Sequence, residues 1–226
     1  MVFLFLGLLV YYASPTSFFW YLTGWAVYAD AALYLLLCFS HWLNGDFQRS
    51  HYEPPAALTI DNADKLNVLD LKRLPWTLWP LIHALYEFCL IINTVVSIAF
   101  WCIEGPFMVY NRAISLPPTS IGGAIFTTLI SIQHIVPFVL VSFEWWHNSI
   151  VVTTNRLWLY LLIGIAYMLM LVILERFIYP STTIYHSMDF ANAPIQASIC
   201  GVIVMAVWVA ASLFWPLITK MRQASS

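Results

Sequence analysis

Long apolar runs separated by short polar connections are the feature that most constrains the fold of this 226-residue chain. A bilayer-crossing helix needs about 20 predominantly apolar residues. Five runs reach about that length, over residues 18–42, 76–103, 121–146, 157–178 and 195–218. With 62% hydrophobic and only 9% charged residues, the chain has more apolar surface than a soluble domain of this size can bury. The sequence therefore predicts an all-α, polytopic bundle of transmembrane helices.

Residues 2–12 form a shorter apolar segment, ended by Ser14-Pro15. No basic segment precedes it and no small-residue cleavage site follows, which argues against a secretory signal peptide. We expect a short or half-inserted first span. The prediction is then about six spans, five of them full length, in a single integral membrane domain over residues 1–226.

Residues 44–74 are the long hydrophilic segment of the chain. Asp61 and Asp64 near its middle and Lys72-Arg73 at its end predict a short interfacial helix that stops before Pro75. Lysines and arginines near the span ends divide seven to two in favour of the face that carries this segment and the C-terminus. The positive-inside rule makes that face the inner one, equivalent to the cytoplasm or the mitochondrial matrix.

Charge and cysteine placement argue against several classes of function. A net charge of -2 without basic or acidic blocks gives no support for nucleic-acid binding. The four cysteines lie inside apolar runs and lack metal-binding spacing, so we expect free thiols. Glu144-Trp-Trp-His147 has the Glu-x-x-His spacing of di-iron bundles, but the second pair that such a site needs is missing. Haem held by His83 and His134 is an alternative that rests on two histidines alone; we expect no metal and no cofactor.

His134 lies near the middle of the run over residues 121–146. An ionisable group at that depth is costly unless it faces the bundle interior, a cavity or a partner. This placement makes His134 a candidate functional residue. The alternative is a neutral core histidine that bonds to a neighbouring helix.

Polar residues in the first two long runs are grouped by helical periodicity. Spacings of seven, four and seven keep those of the first run within one narrow sector of a helix. In the next run two ionisable residues lie one turn apart. We expect one side of each helix to face a protein interior. The residues are Thr23, Asp30, Tyr34 and His41 in the first run, and His83 and Glu87 in the second, with Tyr34, His83 and Glu87 forming a polar core.

Thr23, Asp30 and His134 are expected to converge in the outer half to the middle of the bilayer. At 1.5 Å per residue, Thr23 lies about 8 Å and His134 roughly 13–20 Å from the same face, with Asp30 about 10 Å deeper than Thr23. Together they predict a catalytic set in which His134 takes the proton of the Thr23 nucleophile and the carboxylate orients the imidazole. The alternative is that these groups only join helices through hydrogen bonds worth about 0.6–2 kcal/mol.

Three short patterns resemble the androgen-induced protein family and its rolling-stone relatives over residues 18–218. They are Phe19-Trp-Tyr-Leu-Thr23-Gly-Trp25, His134 with Glu144 ten residues later and Phe138-Val-Leu-Val between them, and Ile178-Tyr-Pro180 followed by Asp189-Phe190 and Pro194. The androgen-induced branch consists of intramembrane threonine hydrolases that cleave fatty acid esters of hydroxy fatty acids. The resemblance implies that Thr23 and His134 are the catalytic residues. The chain departs from the pattern at Ala26, where that branch has an acidic residue.

Two functions of different classes follow from these features. One is a lipid-ester hydrolase within the membrane. The other is a non-catalytic accessory subunit that binds lipid and packs against helices of a larger assembly, for example a respiratory or other organellar complex. Small residues four apart on the last run, Ala197/Gly201 and Ala206/Ala210, favour such packing. Expected partners are membrane lipids and possible partner subunits, in an endomembrane or the mitochondrial inner membrane.

Overall fold

A computed structural model describes residues 21–43, 78–110, 121–147, 150–179 and 184–225. Within these ranges the chain is all helical apart from turns, which confirms the predicted fold class. Two π-helical turns in these ranges, Phe100–Glu104 and Leu174–Ile178, follow directly on the helices that end at Ala99 and Ile173. The helices are α1 (Leu22–Leu43), α2 (Leu78–Ala99), α3 (Gly105–Tyr110), α4 (Ile121–His147), α5 (Leu157–Ile173) and α6 (Pro194–Ser225).

Among the described residues, five helical stretches have the length and composition of membrane spans, as an integral membrane protein requires. They cover Leu22–Phe39, Pro80–Val109, Gly123–His147, Leu157–Ile178 and Pro194–Ala224. Each overlaps one of the five full-length runs that the sequence predicts. The predicted short span over residues 2–12 and the interfacial helix within residues 44–74 lie outside the described ranges.

Two helix ends differ from the sequence expectation. The sequence predicts a run that ends at residue 103, but the helix continues through the π turn and α3 to Tyr110. The charge does not end the helix because the Glu104 carboxylate is buried and accepts four hydrogen bonds from His186 and Ser187. At the other difference, α6 continues past the expected end at residue 218 to Ser225.

The centre of the bundle is α2, which packs against α1, α4 and α6, while α5 packs against α6. Its apolar residues are buried on several sides, as expected for a helix surrounded by others. The outward faces of α4, α5 and α6 instead expose large apolar side chains, which suit contact with lipid. Buried positions of α2 include Ile82, Tyr86, Leu90, Ile92 and Val95. Exposed positions of the other three helices include Phe143 and Trp146 on α4, Trp158 and Leu169 on α5, and Val202 on α6.

Contacts between loops and helix ends define the two ends of the bundle. The backbone of Leu22 at the start of α1 and the carboxylate of Glu104 both contact residues 184–190. We call this the outer end, because it lies opposite the C-terminal end of α6, where Arg222 donates to the carbonyls of Trp145 and Ile150 and which the positive-inside rule assigns to the inner face. At the opposite, inner end, Glu87 in the first half of α2 contacts Thr153, which follows α4.

Gly164 brings α5 close to α6. A Cβ atom at this position would lie 3.1 Å from two ring atoms of Trp208, whose side chain is fully buried and cannot easily move. We expect Gly164→Ala to lower the free energy of unfolding by about 1–3 kcal/mol, as overpacking does. Denaturation in mixed detergent micelles measures the effect.

Gly201→Ala is the matched control for this prediction. Its Cβ would meet the terminal methyl of Met168 at 2.8 Å, a flexible group that can rotate away. Equal destabilisation by the two substitutions would contradict the proposed rigidity of the Gly164 contact.

The small residues that the sequence analysis singled out on the last run lie on α6. Ala197 and Gly201 are buried, whereas Ala206 and Ala210 are exposed.

Candidate functional site

The structure brings Thr23 of α1 and His134 of α4 together, as the sequence predicts. The Thr23 hydroxyl oxygen lies 3.0 Å from His134 Nε2, and His134 Nδ1 lies 2.7 Å from the carbonyl oxygen of Ile130. Because a carbonyl can only accept, Nδ1 carries a proton. In the neutral imidazole Nε2 then accepts the hydrogen bond of the Thr23 hydroxyl. This is the tautomer that a general base for Thr23 requires.

Residues of α2 and its π turn hold His134 in place. Pro137 has no N–H, so the carbonyl of Gln133 cannot receive the usual helical hydrogen bond at this point of α4. The next carbonyl, that of His134, accepts a hydrogen bond from the Ser97 hydroxyl. The Phe100 ring stacks on the imidazole with a centroid distance of 3.7 Å and an interplanar angle of 15°. Main chain and ring of His134 are therefore both fixed from α2.

The first turn of α1 is fixed by a tyrosine from the loop between α5 and α6. The Leu22 N–H donates to the Tyr185 hydroxyl at 2.8 Å, and the Tyr167 hydroxyl lies 3.0 Å from the same oxygen. The aromatic rings of Tyr21 and Tyr185 also pack edge to face, with their centroids 5.3 Å apart and their planes nearly perpendicular. Burial raises the pKa of the Tyr185 phenol, so the hydroxyl keeps its proton.

Asp30 is not the residue that orients His134, and this part of the prediction is wrong. Its buried carboxylate accepts hydrogen bonds from the side-chain amide of Asn93 on α2, at 2.9 and 3.1 Å. The Asn93 amide also donates to the Cys89 carbonyl at 2.8 Å. The carbonyl of Ile130, instead of Asp30, accepts the hydrogen bond of His134 Nδ1 and orients the imidazole. The reason is that α1 packs against two helices, and Asp30 faces α2 while Thr23 reaches α4.

His83 and Glu87 lie in a separate polar cluster at the inner end. Glu87 accepts four hydrogen bonds, two from Thr153 at 2.8 and 3.2 Å, one from Arg156 at 3.2 Å and one from the Tyr160 hydroxyl at 2.6 Å. His83 Nε2 donates to the Val151 carbonyl at 2.7 Å, and its Nδ1 accepts from Arg156 at 2.8 Å. We call these residues the inner-end cluster.

Tyr34, the third predicted member of the polar core, is half-buried on α1 one turn beyond Asp30. Haem ligation by His83 or His134 would require breaking a hydrogen bond, since both ring nitrogens of each histidine are engaged. Within the described ranges, no group of three or more His, Cys, Asp or Glu residues is placed to hold a metal ion.

Two buried carboxylates were missed from the sequence, and each belongs to a π turn. Glu104 accepts hydrogen bonds from His186 and Ser187, and Glu175 accepts from the backbone N–H groups of Ile184 and Phe190 at 2.8 and 2.9 Å. Glu175 lies within an apolar run, so the cost of a charge in a membrane could have identified it. Glu104 lies at the end of its run and gave no such signal.

No protein-family model, curated protein or solved structure matches the chain. The fold and the site define a class, an all-helical membrane bundle with a threonine–histidine pair near the outer end.

Proposed function

We propose that this protein hydrolyses an acyl ester of a membrane lipid, with Thr23 as the nucleophile and His134 as the general base. The observation that carries the proposal is the 3.0 Å contact between the Thr23 hydroxyl and His134 Nε2, with Nδ1 held by a carbonyl. A hydroxyl is a weak nucleophile, and an adjacent base is the usual means of activating it. The resemblance to the androgen-induced branch implies the same two residues.

The reaction would proceed by acyl transfer to Thr23. As the hydroxyl oxygen attacks the ester carbonyl carbon, its proton passes to His134 Nε2, and the Ile130 carbonyl stabilises the resulting imidazolium through Nδ1. The imidazolium then returns the proton to the leaving alkoxide, which departs as an alcohol. Water, deprotonated by His134, attacks the acyl-threonine ester, releases the fatty acid and restores the hydroxyl.

A lipid is the substrate class that suits the surroundings of the pair. The exposed side chains near His134 in sequence, and those that neighbour Ser97 and Phe100, are apolar, among them Ile135, Ile98 and Trp101. A charged or strongly polar substrate would lose hydration at such a surface without gaining partners. A lipid ester can instead approach sideways from the bilayer.

The accessory-subunit function remains the second candidate because of one observation. The Thr23 side chain belongs to a residue that is only 6% exposed, and its hydroxyl already bonds to another helix. Hydrogen bonds of this kind also join membrane helices without any catalysis. A subunit of this type would neither react covalently with an ester analogue nor turn over lipid esters.

Labelling with a fluorophosphonate hydrolase probe, together with turnover of a panel of lipid esters, tests the proposed function. We expect labelling of the wild type, none of Thr23→Ala, and partial labelling of Thr23→Ser, which keeps a hydroxyl. Thr94→Ala is the matched control. Thr94 is equally buried on α2, donates to the Leu90 carbonyl and accepts from Trp215, away from the pair.

Undiminished labelling of Thr23→Ala would exclude Thr23 as the nucleophile. A folded wild type that neither reacts with the probe nor cleaves any ester of the panel would exclude the hydrolase and favour the accessory subunit. Loss of labelling in Thr94→Ala as complete as in Thr23→Ala would show that the probe reports general damage to the bundle.

A further inference from the structure

Thr23 and His134 belong to different helices, so something must fix the distance between them. The hydrogen bond between Thr23 and His134 is directional, and a displacement of about 1 Å in such a pair can cost about 10²-fold in rate. The loop of residues 184–190, which we call the outer loop, contacts the supports of both residues.

On the Thr23 side, the support is Tyr185 of the outer loop. Its hydroxyl accepts the hydrogen bond of the Leu22 N–H, which belongs to the residue directly before Thr23. The first N–H groups of a helix have no partner within the helix, so an outside acceptor determines how the first turn sits. The Tyr167 hydroxyl of α5 bonds to the same tyrosine oxygen and fixes it in turn.

On the His134 side, the support is the π turn Phe100–Glu104. Phe100 at its start stacks on the imidazole, and Glu104 at its end accepts two hydrogen bonds each from His186 and Ser187 of the outer loop. π turns have hydrogen bonds between residues five apart rather than four, and they occur frequently at functional sites. Within its five residues, this π turn carries both the Phe100 ring that contacts His134 and the Glu104 carboxylate that contacts the outer loop.

These contacts form a closed network, which runs from Thr23 through Leu22, the outer loop and the π turn to His134 and returns to Thr23 through their hydrogen bond. We infer that Tyr185 and Glu104 are positioning residues, which act through the outer loop to hold the Thr23 hydroxyl at His134 Nε2. The inference rests on the proposed function and adds to it two residues that act on the pair through the groups they hold, Leu22 on one side and the π turn on the other.

The inner-end cluster supplies matched controls for a purely structural role. Glu87, like Glu104, is buried and accepts four hydrogen bonds, and Tyr160, like Tyr185, bonds through its hydroxyl to a neighbouring element. The substitutions to compare are therefore Glu104→Gln with Glu87→Gln, and Tyr185→Phe with Tyr160→Phe. The two substitutions of each comparison remove similar contacts, but only the first replaces a residue of the closed network.

Kinetics of lipid-ester cleavage, scaled to the folded fraction, give the first test. We expect Glu104→Gln and Tyr185→Phe to lower kcat by about 10- to 100-fold at nearly unchanged KM, since misalignment affects the acyl-transfer step rather than binding. Glu87→Gln and Tyr160→Phe should change stability and leave kcat close to that of the wild type. Equal losses of kcat in both members of a pair would overturn the inference.

A measurement that does not need activity separates this inference from the proposed function. In protein labelled with ¹⁵N in the histidine rings, the Nε2 signal of His134, assigned with His134→Gln, reports its hydrogen bond to Thr23. Tyr185→Phe and Glu104→Gln should move this signal towards its position in Thr23→Ala, and the two controls should not. A wild type without turnover would defeat the proposed function, and the NMR comparison would still decide the positioning role. If the Nε2 signal does not move in either Tyr185→Phe or Glu104→Gln, the positioning role of these two residues is excluded.

Discussion

Replacement of His134 by glutamine is expected to lower the rate of lipid-ester cleavage by about 10²–10⁴-fold, the range attributed to a positioned general base. Glutamine can still accept the hydrogen bond of the Thr23 hydroxyl through its side-chain oxygen, so the helix contact survives. It cannot take the proton when the hydroxyl attacks the ester. Single-turnover cleavage of a lipid ester by purified protein in micelles measures the loss.

Asp30→Asn is the control that separates this role from the one the sequence assigned to Asp30. The substitution preserves shape, and its amide oxygen still accepts a hydrogen bond from Asn93. Because no ring nitrogen of His134 is bonded to Asp30, we expect the rate to remain near that of the wild type. A rate as low as that of His134→Gln would restore Asp30 as a catalytic carboxylate.

The proximity of Thr23 and His134 could be predicted because depth along a membrane span can be counted from the sequence. Both residues enter from the same end of the bundle, and both are polar groups in apolar runs that need partners. The five span-length helices were predictable for the same reason, since the thickness of the bilayer fixes their length.

The partner of Asp30 could not be predicted, because depth and helical face do not determine which neighbouring helix lies opposite. Seven residues separate Asp30 from Thr23, which keeps them within a narrow sector of α1. A helix that packs against both α2 and α4 can nevertheless direct the two side chains to different helices. The orienting group of His134 was also hidden, since it is a backbone carbonyl and every residue carries one.

Glu104 illustrates a second kind of failure. A charge at the end of an apolar run normally indicates that the chain is leaving the membrane. Here the carboxylate stays buried because backbone and side-chain donors of His186 and Ser187 meet it, more than 80 residues further along the chain. Interactions over such separations leave no local pattern in one sequence.

The proposed resemblance to the androgen-induced branch would place an acidic residue at the position of Ala26. Ala26 instead belongs to the hydrophobic core and is 1% exposed. The Ile130 carbonyl supplies the acceptor at Nδ1 without any carboxylate. In the proposed mechanism a neutral acceptor stabilises the imidazolium less than an ion would, and the positioning contacts of the outer loop then matter more.

Glu87→Ala is expected to lower the free energy of unfolding by about 3 kcal/mol, the lower end of the cost of breaking a buried ion pair by removing one partner, because the remaining Arg156 side chain is partly exposed. The carboxylate is fully buried and lies 3.2 Å from Arg156, whose side chain is 29% exposed. Removing it leaves the guanidinium without this counter-ion and leaves donors of Thr153 and Tyr160 unsatisfied. Unfolding in mixed micelles, followed by tryptophan fluorescence, measures the change.

Glu144→Ala and a double mutant make this prediction specific. Glu144 is half-buried on α4 and lies outside the inner-end cluster, so its loss should cost far less. Because the charge of Arg156 is costly only while it lacks its partner, Glu87→Ala combined with Arg156→Ala should destabilise the protein by less than the sum of the two single changes. A double mutant whose loss equals that sum would mean that the two residues act independently, and the ion pair would then contribute nothing of its own to the inner-end cluster.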